Sequence, residues 1–322
     1  MAALLKSLYL LVAVACTANS AMGHDNHPHH LGCGTPDPSD EDLKNIEKRV
    51  TRYKTRHKSR AVRALCVGCV DIEVVFHVVA DTAGGSDTSL YMTDANIAHQ
   101  VDILNQHFRQ TPFRFVNRAT TRTINDEWVY GIVYHLVSAF WGVGASTELA
   151  ATITAALRVG GPDVVNIFYV DGGADGCFFA SFASRPNELG MFPAGMYSKK
   201  DIIFLCPSTI SPHIIDYGDM AHEIGHWLGL LHTFRGNRCD ASNLNDLVND
   251  TPQQLSSANF CSECCVSGRD SCPLLPGLDP ANFMDYSVCR SNFTPGQIES
   301  SMSLMNSVAV LSHVVRTKLI FM

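Results

Sequence analysis

The run from His222 to His232 constrains this chain more than any other feature of its sequence. It reads H-E-x-x-H-x-x-G-x-x-H, and its first two histidines lie four residues apart. On an α-helix, residues at that spacing lie about 40° from each other around the axis, at roughly 100° per residue. His222 and His226 would therefore face one side, one turn apart, which is the spacing that a single zinc ion needs.

The third histidine, His232, cannot reach the same ion from a straight helix. Ten residues past His222, a regular helix has turned about 1000°, which leaves His232 about 80° off the shared face. Gly229 is the residue best able to end the helix in a left-handed conformation. Three protein ligands would leave the fourth zinc position open for water, as in a catalytic site, and Glu223 is placed to accept a proton there.

The composition is that of an ordinary globular protein. The 322 residues are enough for a sizeable core, and the net charge of −7 argues against a nucleic-acid binder.

Residues 1–20 have the pattern of a signal peptide, with a lysine, an apolar run and small residues before the cut. That run is too short to span a bilayer, and charged residues interrupt the apolar C-terminal tail, so no membrane segment is predicted.

Twelve cysteines also fit an oxidising compartment. Cys16 would leave with the signal peptide, so an odd number enters that compartment. One thiol is therefore expected to have a role outside the disulfides.

Residues 21–60 are predicted to be a pro-segment outside the catalytic fold. A helix over about residues 39–58, rich in Lys and Arg toward its end, is expected to be solvated. The basic run at 48–63 admits two interpretations, a phosphate or heparin patch and an exposed site for a trypsin-like activating protease. Activation by a cut near Arg60 or Arg63 is favoured, because a secreted enzyme would follow directly.

Strand and helix patterns alternate through residues 61–232, the predicted N-terminal catalytic subdomain. Strands are expected at 72–79, 113–116, 164–170, 177–183 and 201–206, and helices at 93–108, 146–157 and 216–230. This order predicts an α/β fold in which a backing helix and the active-site helix pack on a twisted mixed sheet.

Residues 233–322 are predicted to form a C-terminal subdomain of different character. Residues 235–292 are rich in Cys, Asn, Asp, Ser, Gly and Pro and show little periodicity, so we expect disulfides and ions to hold them. Regularity returns at Thr294, which forms a capping box with Gln297 around Pro295 and opens a helix toward Met305.

The segments after the histidine run carry a dense set of further motifs. They are TF at 233–234, DTPQ at 250–253, DSCP at 270–273, NFMDYS at 282–287 and FTPGQ at 293–297, with CGT upstream at 33–35. Together they resemble the metzincin zinc endopeptidases, and among these the pappalysin family on its cytophagalysin/ulilysin branch, which includes secreted fungal metalloproteases. The resemblance spans residues 33–305 in outline and implies a metzincin-like α/β (α+β) fold. It also implies an enzyme that hydrolyses peptide bonds of extracellular proteins.

The resemblance also implies roles that the sequence alone would not assign. Met284 would be the Met-turn residue beneath the zinc ligands, and Tyr286 would hydrogen-bond the oxyanion of the tetrahedral intermediate. Cys33 would be a cysteine switch, whose thiolate occupies the fourth zinc position of the latent precursor. A disulfide from Cys33 to another cysteine is the alternative.

Ten cysteines remain for disulfides. Two bridges in the C-terminal subdomain are implied by the resemblance, Cys239–Cys272 and Cys261–Cys289. Cys177 and Cys206 close the strand region and are plausible partners. Four cysteines stay unassigned: Cys66, Cys69, Cys264 and Cys265.

Two family features do not carry over directly. Val288 precedes Cys289 where relatives commonly have an acidic residue that helps the S1′ pocket accept Arg or Lys, so that preference is in doubt. Some relatives bind calcium, and Asp240, Asp246 and Asp250 are candidate oxygen ligands, although no loop here has diagnostic calcium spacing.

The sequence thus predicts a secreted zinc endopeptidase made as a latent precursor. Glu223 would serve as general base and then general acid. An extended substrate would pair with an edge strand formed by Phe178, Phe179, Ala180, Ser181 and Phe182. The alternatives are a catalytically silent secreted binding or adhesion protein with the same fold, and a structural zinc protein, which would want four protein ligands in its mature form.

Overall fold

A computed structural model describes residues 33, 35, 37–56, 70–82, 92–131, 147–161, 163–171, 181–183, 202–205, 218–240, 245–258, 269–275, 281–287 and 289–307. Its elements, in chain order, are α1 (Asp40–Arg56), β1 (Val70–Ala80), α2 (Asp94–His107), β2 (Phe113–Ile124), α3 (Thr147–Leu157), β3 (Val164–Asp171), β4 (Phe182–Ala183), β5 (Ile203–Leu205), α4 (Asp219–Trp227) and α5 (Pro295–Ser307). No helix within these ranges is long and apolar enough to cross a membrane.

The strands form one five-stranded sheet in the order β2-β1-β3-β5-β4. Neighbours from β2 to β5 are parallel, and β4 pairs antiparallel with β5 at the edge. β1 lies between two strands, and Val74, Val75 and Phe76 are fully buried. Burial on both faces explains its continuous apolar sequence. The predicted mixed sheet is confirmed.

Helices cover both faces of the sheet. α2 and α4 pack on one face, where Ile97 and Ile224 join the core with Phe76 and Ile167. α3 packs on the other face through Ile153, against Phe168 and Phe204 among others. α4 thereby lies beside β4 and β5, so the active-site helix runs along the antiparallel edge of the sheet.

Two predicted element boundaries were wrong. β2 continues to Ile124 rather than ending at 116, although Val116 and Ile124 are 41% and 60% exposed. The sequence pattern does not predict residues 117–124 as a strand. These residues form the second half of an edge strand, which pairs with β1 through its backbone while many of its side chains meet solvent. α4 is shorter than predicted, since Gly218 and Gly229, with φ of 79° and 96°, bracket it.

The predicted edge strand at 177–183 is represented by β4, which comprises Phe182–Ala183. Its other residues, including Phe178, Phe179 and Ala180, lie outside the described residues. The predicted strand at 201–206 appears as β5, Ile203–Leu205.

α1 is not the solvated helix that the sequence predicts. Ile46 is 3% exposed and is buried with Leu231 and Leu304, and Leu43 and Val50 pack against the same cluster. The expectation failed because this apolar stripe is narrow within a helix that otherwise carries mostly charged and polar side chains.

The helix α5 begins at the predicted capping box. The Gln297 N–H donates to Thr294 Oγ1 at 3.1 Å, and the Thr294 N–H donates to Gln297 Oε1 at 3.0 Å. The Gln297 amide also exchanges two hydrogen bonds with the buried amide of Asn282, at 2.7 and 3.1 Å. These bonds attach the start of α5 to the segment that contains Met284 and Tyr286.

Candidate active site

The helix α4 carries His222, Glu223 and His226, and all three side chains are buried. The helix ends as predicted, because Gly229 adopts the left-handed conformation with φ of 96°. The N–H of Gly229 donates to the carbonyl of His226 at 2.8 Å, and the N–H of Leu230 donates to the carbonyl of Gly225 at 2.9 Å. This pair of bonds is the Schellman pattern of a glycine-terminated helix, and it turns the chain so that His232 comes back toward the helix.

The three histidines converge through their Nε2 atoms. His226 Nε2 lies 3.2 Å from His222 Nε2 and 3.1 Å from His232 Nε2. Carbonyl oxygens only accept hydrogen bonds, so the Nδ1 atoms of His222 and His226 must donate to the carbonyls of Phe283 and Leu230, at 2.6 and 2.8 Å. In the neutral rings of His222 and His226, each Nε2 therefore presents a lone pair toward the point where the three histidines converge.

This arrangement fits a zinc ion. Zn–N bonds of 2.0–2.1 Å in a tetrahedral site place the nitrogens about 3.3 Å apart, close to the spacing of these three atoms. Burial lowers the pKa of His222 well below its ordinary value, which favours the neutral form that a metal requires. Within the described part of the chain, one group of three or more His, Cys, Asp or Glu residues could hold a metal: Cys33, His222, His226 and His232.

Glu223 lies beside these ligands with no exposed surface. Ser181, just before β4, donates from Oγ to Glu223 Oε1 at 2.6 Å. Burial raises the pKa of the Glu223 carboxyl to about 7, against the opposing effect of the Ser181 hydrogen bond. The carboxyl group is thus held at one oxygen, while its Oε2 faces the segment that contains Cys33 and Thr35.

Met284 lies beneath the histidines, where the resemblance implies a Met-turn. It is fully buried, and any side chain at Gly225 would collide with its Sδ atom. Because Gly225 lies between His222 and His226 on α4, the thioether packs directly against the backbone that carries both ligands. Tyr286, two residues later, places its hydroxyl 3.2 Å from His232 Nε2.

Further contacts hold the third histidine. The ring of Phe234 stacks on the ring of His232 at 4.9 Å, and the Thr233 hydroxyl donates to Gln254 at 2.5 Å. The Gln254 side chain in turn donates to Asp285 Oδ1 at 2.9 Å. The segment after α4 is therefore connected to the Met284 segment through buried polar side chains.

The upstream segment enters this site. Cys33 is a free thiol and belongs to the four-residue group with the histidines. Its Sγ lies 3.5 Å from Glu223 Oε2, and its carbonyl accepts a hydrogen bond from the Tyr286 hydroxyl at 3.1 Å. Burial next to Glu223 raises the pKa of the thiol well above its ordinary value, whereas a zinc ion beside it would favour the thiolate.

Thr35 makes contacts that sequence analysis did not foresee. Its hydroxyl accepts from the Ala183 N–H at 2.9 Å and lies 3.3 Å from the Ala183 carbonyl and 3.4 Å from Glu223 Oε2. One side chain of the upstream segment therefore contacts both the edge strand β4 and the carboxyl group of Glu223. The CGT motif at 33–35 was the available signal, but only its cysteine was interpreted.

An ion pair between Asp219 and Arg290 was also missed. Arg290 Nη2 contacts Asp219 Oδ1, with side-chain exposures of 3% and 15%. The pair joins the first turn of α4 to the chain just after Cys289. Neither residue belongs to a recognisable motif, and they lie far apart in the sequence, so the pattern offered no signal for it.

Two other predictions concern the C-terminal subdomain. The structure has the Cys239–Cys272 disulfide, and Cys289 is also disulfide-bonded. The remaining candidates, Cys177, Cys206 and Cys261, lie outside the described residues, as do the four unassigned cysteines.

Calcium binding stays a prediction. Asp250 accepts hydrogen bonds from Thr294 Oγ1 and the Gly296 N–H, at 2.7 and 2.8 Å, and so caps α5. Asp246 is buried, and burial raises its pKa to about 7. In the described ranges, Asp240, Asp246 and Asp250 do not form a group of metal-binding atoms like that of the histidines.

Comparison with known proteins identifies the family of the chain. The model of peptidase M43, described as pregnancy-associated plasma protein-A, matches residues 213–306. An extracellular metalloprotease of Pyricularia oryzae is 31% identical over 303 residues, covering 89% of this chain and 92% of that protein. Another from Verticillium alfalfae is 32% identical over 309 residues, covering 91% and 95%.

The chain belongs to the pappalysin family of metzincin metalloproteases. The solved structure of mature mirolysin from Tannerella forsythia, in complex with a cleaved peptide, is similar in fold, with a TM-score of 0.51. It is 21% identical and covers 77% of this chain and 96% of its own. As a pappalysin, the protein is a metallopeptidase. The predicted fold class and the predicted enzyme class are both confirmed.

The helix stop at Gly229 yields a test. A Cβ on Gly229 would lie 2.5 Å from Leu304 Cδ1 in a strained left-handed residue, so Gly229→Ala should shift His232 and weaken zinc affinity at least tenfold. Gly236 shares a left-handed φ of 80°, but a Cβ there would meet the Arg238 side chain instead. Gly236→Ala should therefore lower stability by about 1 kcal/mol without changing zinc affinity. Equal zinc affinities for the two variants, measured by chelator competition, would contradict the role given to Gly229.

Proposed function

We propose that this metallopeptidase is a secreted zinc endopeptidase whose precursor is kept inactive by residues 33–35. The observation that carries the proposal is the position of Cys33, with its Sγ beside three converging histidines and its carbonyl bonded to Tyr286. The names of the fungal relatives, extracellular metalloproteases, support secretion and agree with the predicted signal peptide at 1–20.

His222, His226 and His232 would hold the zinc ion. Bound there, zinc would supply a Lewis acid that polarises the scissile carbonyl and acidifies a water molecule in the fourth position. The carbonyl groups of Phe283 and Leu230 fix two of the three imidazole rings by accepting from their Nδ1 atoms. This support from the backbone orients the rings before any metal arrives.

Glu223 would act as the general base. Its Oε2 would take a proton from the attacking water and later pass it to the leaving amine. Ser181 is a positioning residue in this scheme, because its hydroxyl holds Oε1 at 2.6 Å and so leaves Oε2 directed at the cleft.

Tyr286 would stabilise the oxyanion. Burial raises the pKa of its phenol well above the ordinary value, so the hydroxyl keeps its proton and can donate. In the present structure it donates to the Cys33 carbonyl at 3.1 Å. We infer that a substrate's scissile carbonyl takes the place of this group in the active enzyme.

Latency would follow from three separate contacts of the upstream segment. The Cys33 thiolate would fill the fourth zinc position. The Cys33 carbonyl accepts the hydrogen bond of the Tyr286 hydroxyl, which is then not free for a substrate. The third contact is made by Thr35, whose hydroxyl contacts Glu223 Oε2 and both backbone groups of Ala183. Those backbone groups belong to β4, the edge strand with which an extended substrate would pair.

Substrates would be peptides or proteins outside the cell. The predicted pairing region at 178–182 overlaps the described part of β4 only in Phe182, with Ser181 just before it.

The chain would be divided into a signal peptide at 1–20, a pro-segment at 21–60 and subdomains at 61–232 and 233–322. An activating protease would cut near Arg60 or Arg63.

Hydrolysis is tested directly with casein. Protein freed of residues 1–60 and loaded with zinc should cleave casein, and a chelator should abolish the cleavage until zinc is restored. Glu223→Gln keeps the shape of the side chain but removes the base, so kcat should fall roughly 10²–10⁴-fold with zinc content unchanged. Zinc-loaded protein without cleavage, or unaltered cleavage by Glu223→Gln, would exclude the proposed mechanism.

Latency is tested on the uncut precursor. Cys33→Ser should release activity without any cleavage, because a neutral hydroxyl is a far poorer zinc ligand than a thiolate. Thr35→Val keeps the volume but loses the hydroxyl contacts, and it should raise precursor activity less than Cys33→Ser does. A Cys33→Ser precursor as inactive as the wild type would refute the cysteine switch.

The positioning role of Ser181 is tested in the processed enzyme. Ser181→Ala should lower kcat about tenfold with little change in KM, since it frees the Glu223 carboxyl without touching substrate. Ser181→Thr keeps the hydroxyl and should restore most of kcat. The control is Ser303→Ala, because the Ser303 hydroxyl is buried with no hydrogen-bond partner in the described structure. Equal kcat values for Ser181→Ala and Ser303→Ala would remove Ser181 from the mechanism.

A further inference from the structure

The helix α1 covers a defined surface of the catalytic domain. This surface, here called the α1-docking surface, consists of Leu231, Leu247, Leu304 and Glu299. Leu231 and Leu304 are 2% and 1% exposed beneath the helix, and the Ile46 side chain that meets them is 3% exposed. Burial this complete on both sides indicates a packed interface rather than a loose contact.

The α1-docking surface adjoins the zinc ligands. Leu231 directly precedes His232 in the chain. Leu304 packs against Gly229, the residue that ends α4, where an added Cβ would lie 2.5 Å from Leu304 Cδ1. A helix held on this surface is therefore anchored next to the site that the upstream segment enters.

One ion pair joins α1 to α5, and a local cap sets where α1 begins. Lys54 Nζ lies 3.2 Å from Glu299 Oε2 on α5. At the other end, the Asp42 N–H donates to Ser39 Oγ at 3.2 Å, and the Ser39 N–H donates to Asp42 Oδ2 at 3.2 Å. This reciprocal cap begins at Ser39, four residues after Thr35, so little free chain separates the helix from the inhibitory contacts.

The upstream segment thus has two points of attachment. Cys33 and Thr35 lie in the cleft, and α1 lies on its docking surface. Each attachment raises the effective concentration of the other, since a short connection keeps a released group close to its site. Cutting the chain beyond Arg56 removes a covalent link but neither of these attachments.

We propose that cleavage between α1 and β1 does not by itself activate the enzyme, because α1 stays on its docking surface as a noncovalent ligand. The occupant of the surface is the chain's own α1, and while it is bound it keeps Cys33 and Thr35 in the cleft. Activity appears only when α1 dissociates or is degraded. This inference rests on the proposed latency by residues 33–35.

The experiment uses the full chain with a site-specific protease sequence placed between residues 57 and 69. After complete cutting, gel filtration and mass spectrometry show whether the fragment that contains α1 stays with the remainder, and casein cleavage reports activity. Four further versions are cut in the same way: Ile46→Asp, Ile46→Ala, Thr51→Asp and Cys33→Ser. Thr51 is exposed on α1, so Thr51→Asp is a control for the added charge.

The cut wild type and cut Thr51→Asp should retain the fragment and stay inactive. Cut Ile46→Asp should lose the fragment at least tenfold faster and become active, with a smaller effect of the same sign for Ile46→Ala, which guards against a folding defect of the aspartate variant. Loss of the fragment from the wild type on cutting, or retention of the fragment by both Ile46 variants equal to that by the wild type, would overturn the proposal.

The Cys33→Ser version separates this inference from the proposed latency. It should retain the fragment after cutting but be active, because α1 still binds while the cleft lacks its thiolate. If it loses the fragment at once, α1 does not hold the segment and the inference fails. Activity of the uncut wild-type chain would instead refute the latency, and retention of the fragment could still be measured.

Discussion

The convergence of three imidazole nitrogens is the constraint on which the rest of the site depends. The Nε2 lone pairs of His222 and His226, 3.2 Å apart, repel one another unless a cation lies between them, so the surrounding structure must hold the rings in place. It does so with backbone carbonyls on two Nδ1 atoms, an aromatic ring against His232 and a thioether beneath Gly225. The metal-binding geometry is thereby a property of the fold rather than of the ligands alone.

The same crowding would allow so short a segment to silence the precursor, as the proposed latency requires. Cys33 and Thr35 contact Glu223, the proposed base, and Cys33 contacts Tyr286, the proposed oxyanion donor. Cys33 Sγ also belongs to one group with the three histidines. Thr35 also engages both backbone groups of Ala183, as a paired strand would. The helix α1 adds hydrophobic burial some distance away, which supplies binding energy without entering the cleft.

Much of this could be predicted from sequence because the relevant signals are local. The spacing of His222, His226 and His232, the helix stop at Gly229 and the cap at Thr294 each depend on residues within about three helical turns. The Ser181–Glu223 bond and the Asp219–Arg290 pair join residues 42 and 71 positions apart, and no periodicity encodes such contacts. The packing of α1 was missed for a related reason: its partners, Leu231 and Leu304, are distant in the chain.

The central claim is that one sulfur and three nitrogens surround the zinc ion in the precursor and that the sulfur leaves on activation. X-ray absorption at the zinc edge measures this directly, since Zn–S and Zn–N distances differ, at about 2.3 Å against 2.0–2.1 Å. The zinc-loaded precursor should show one sulfur at the longer distance, and the enzyme whose pro-segment has been degraded should show none. A precursor without a sulfur neighbour, or an active enzyme that retains one, would contradict the account.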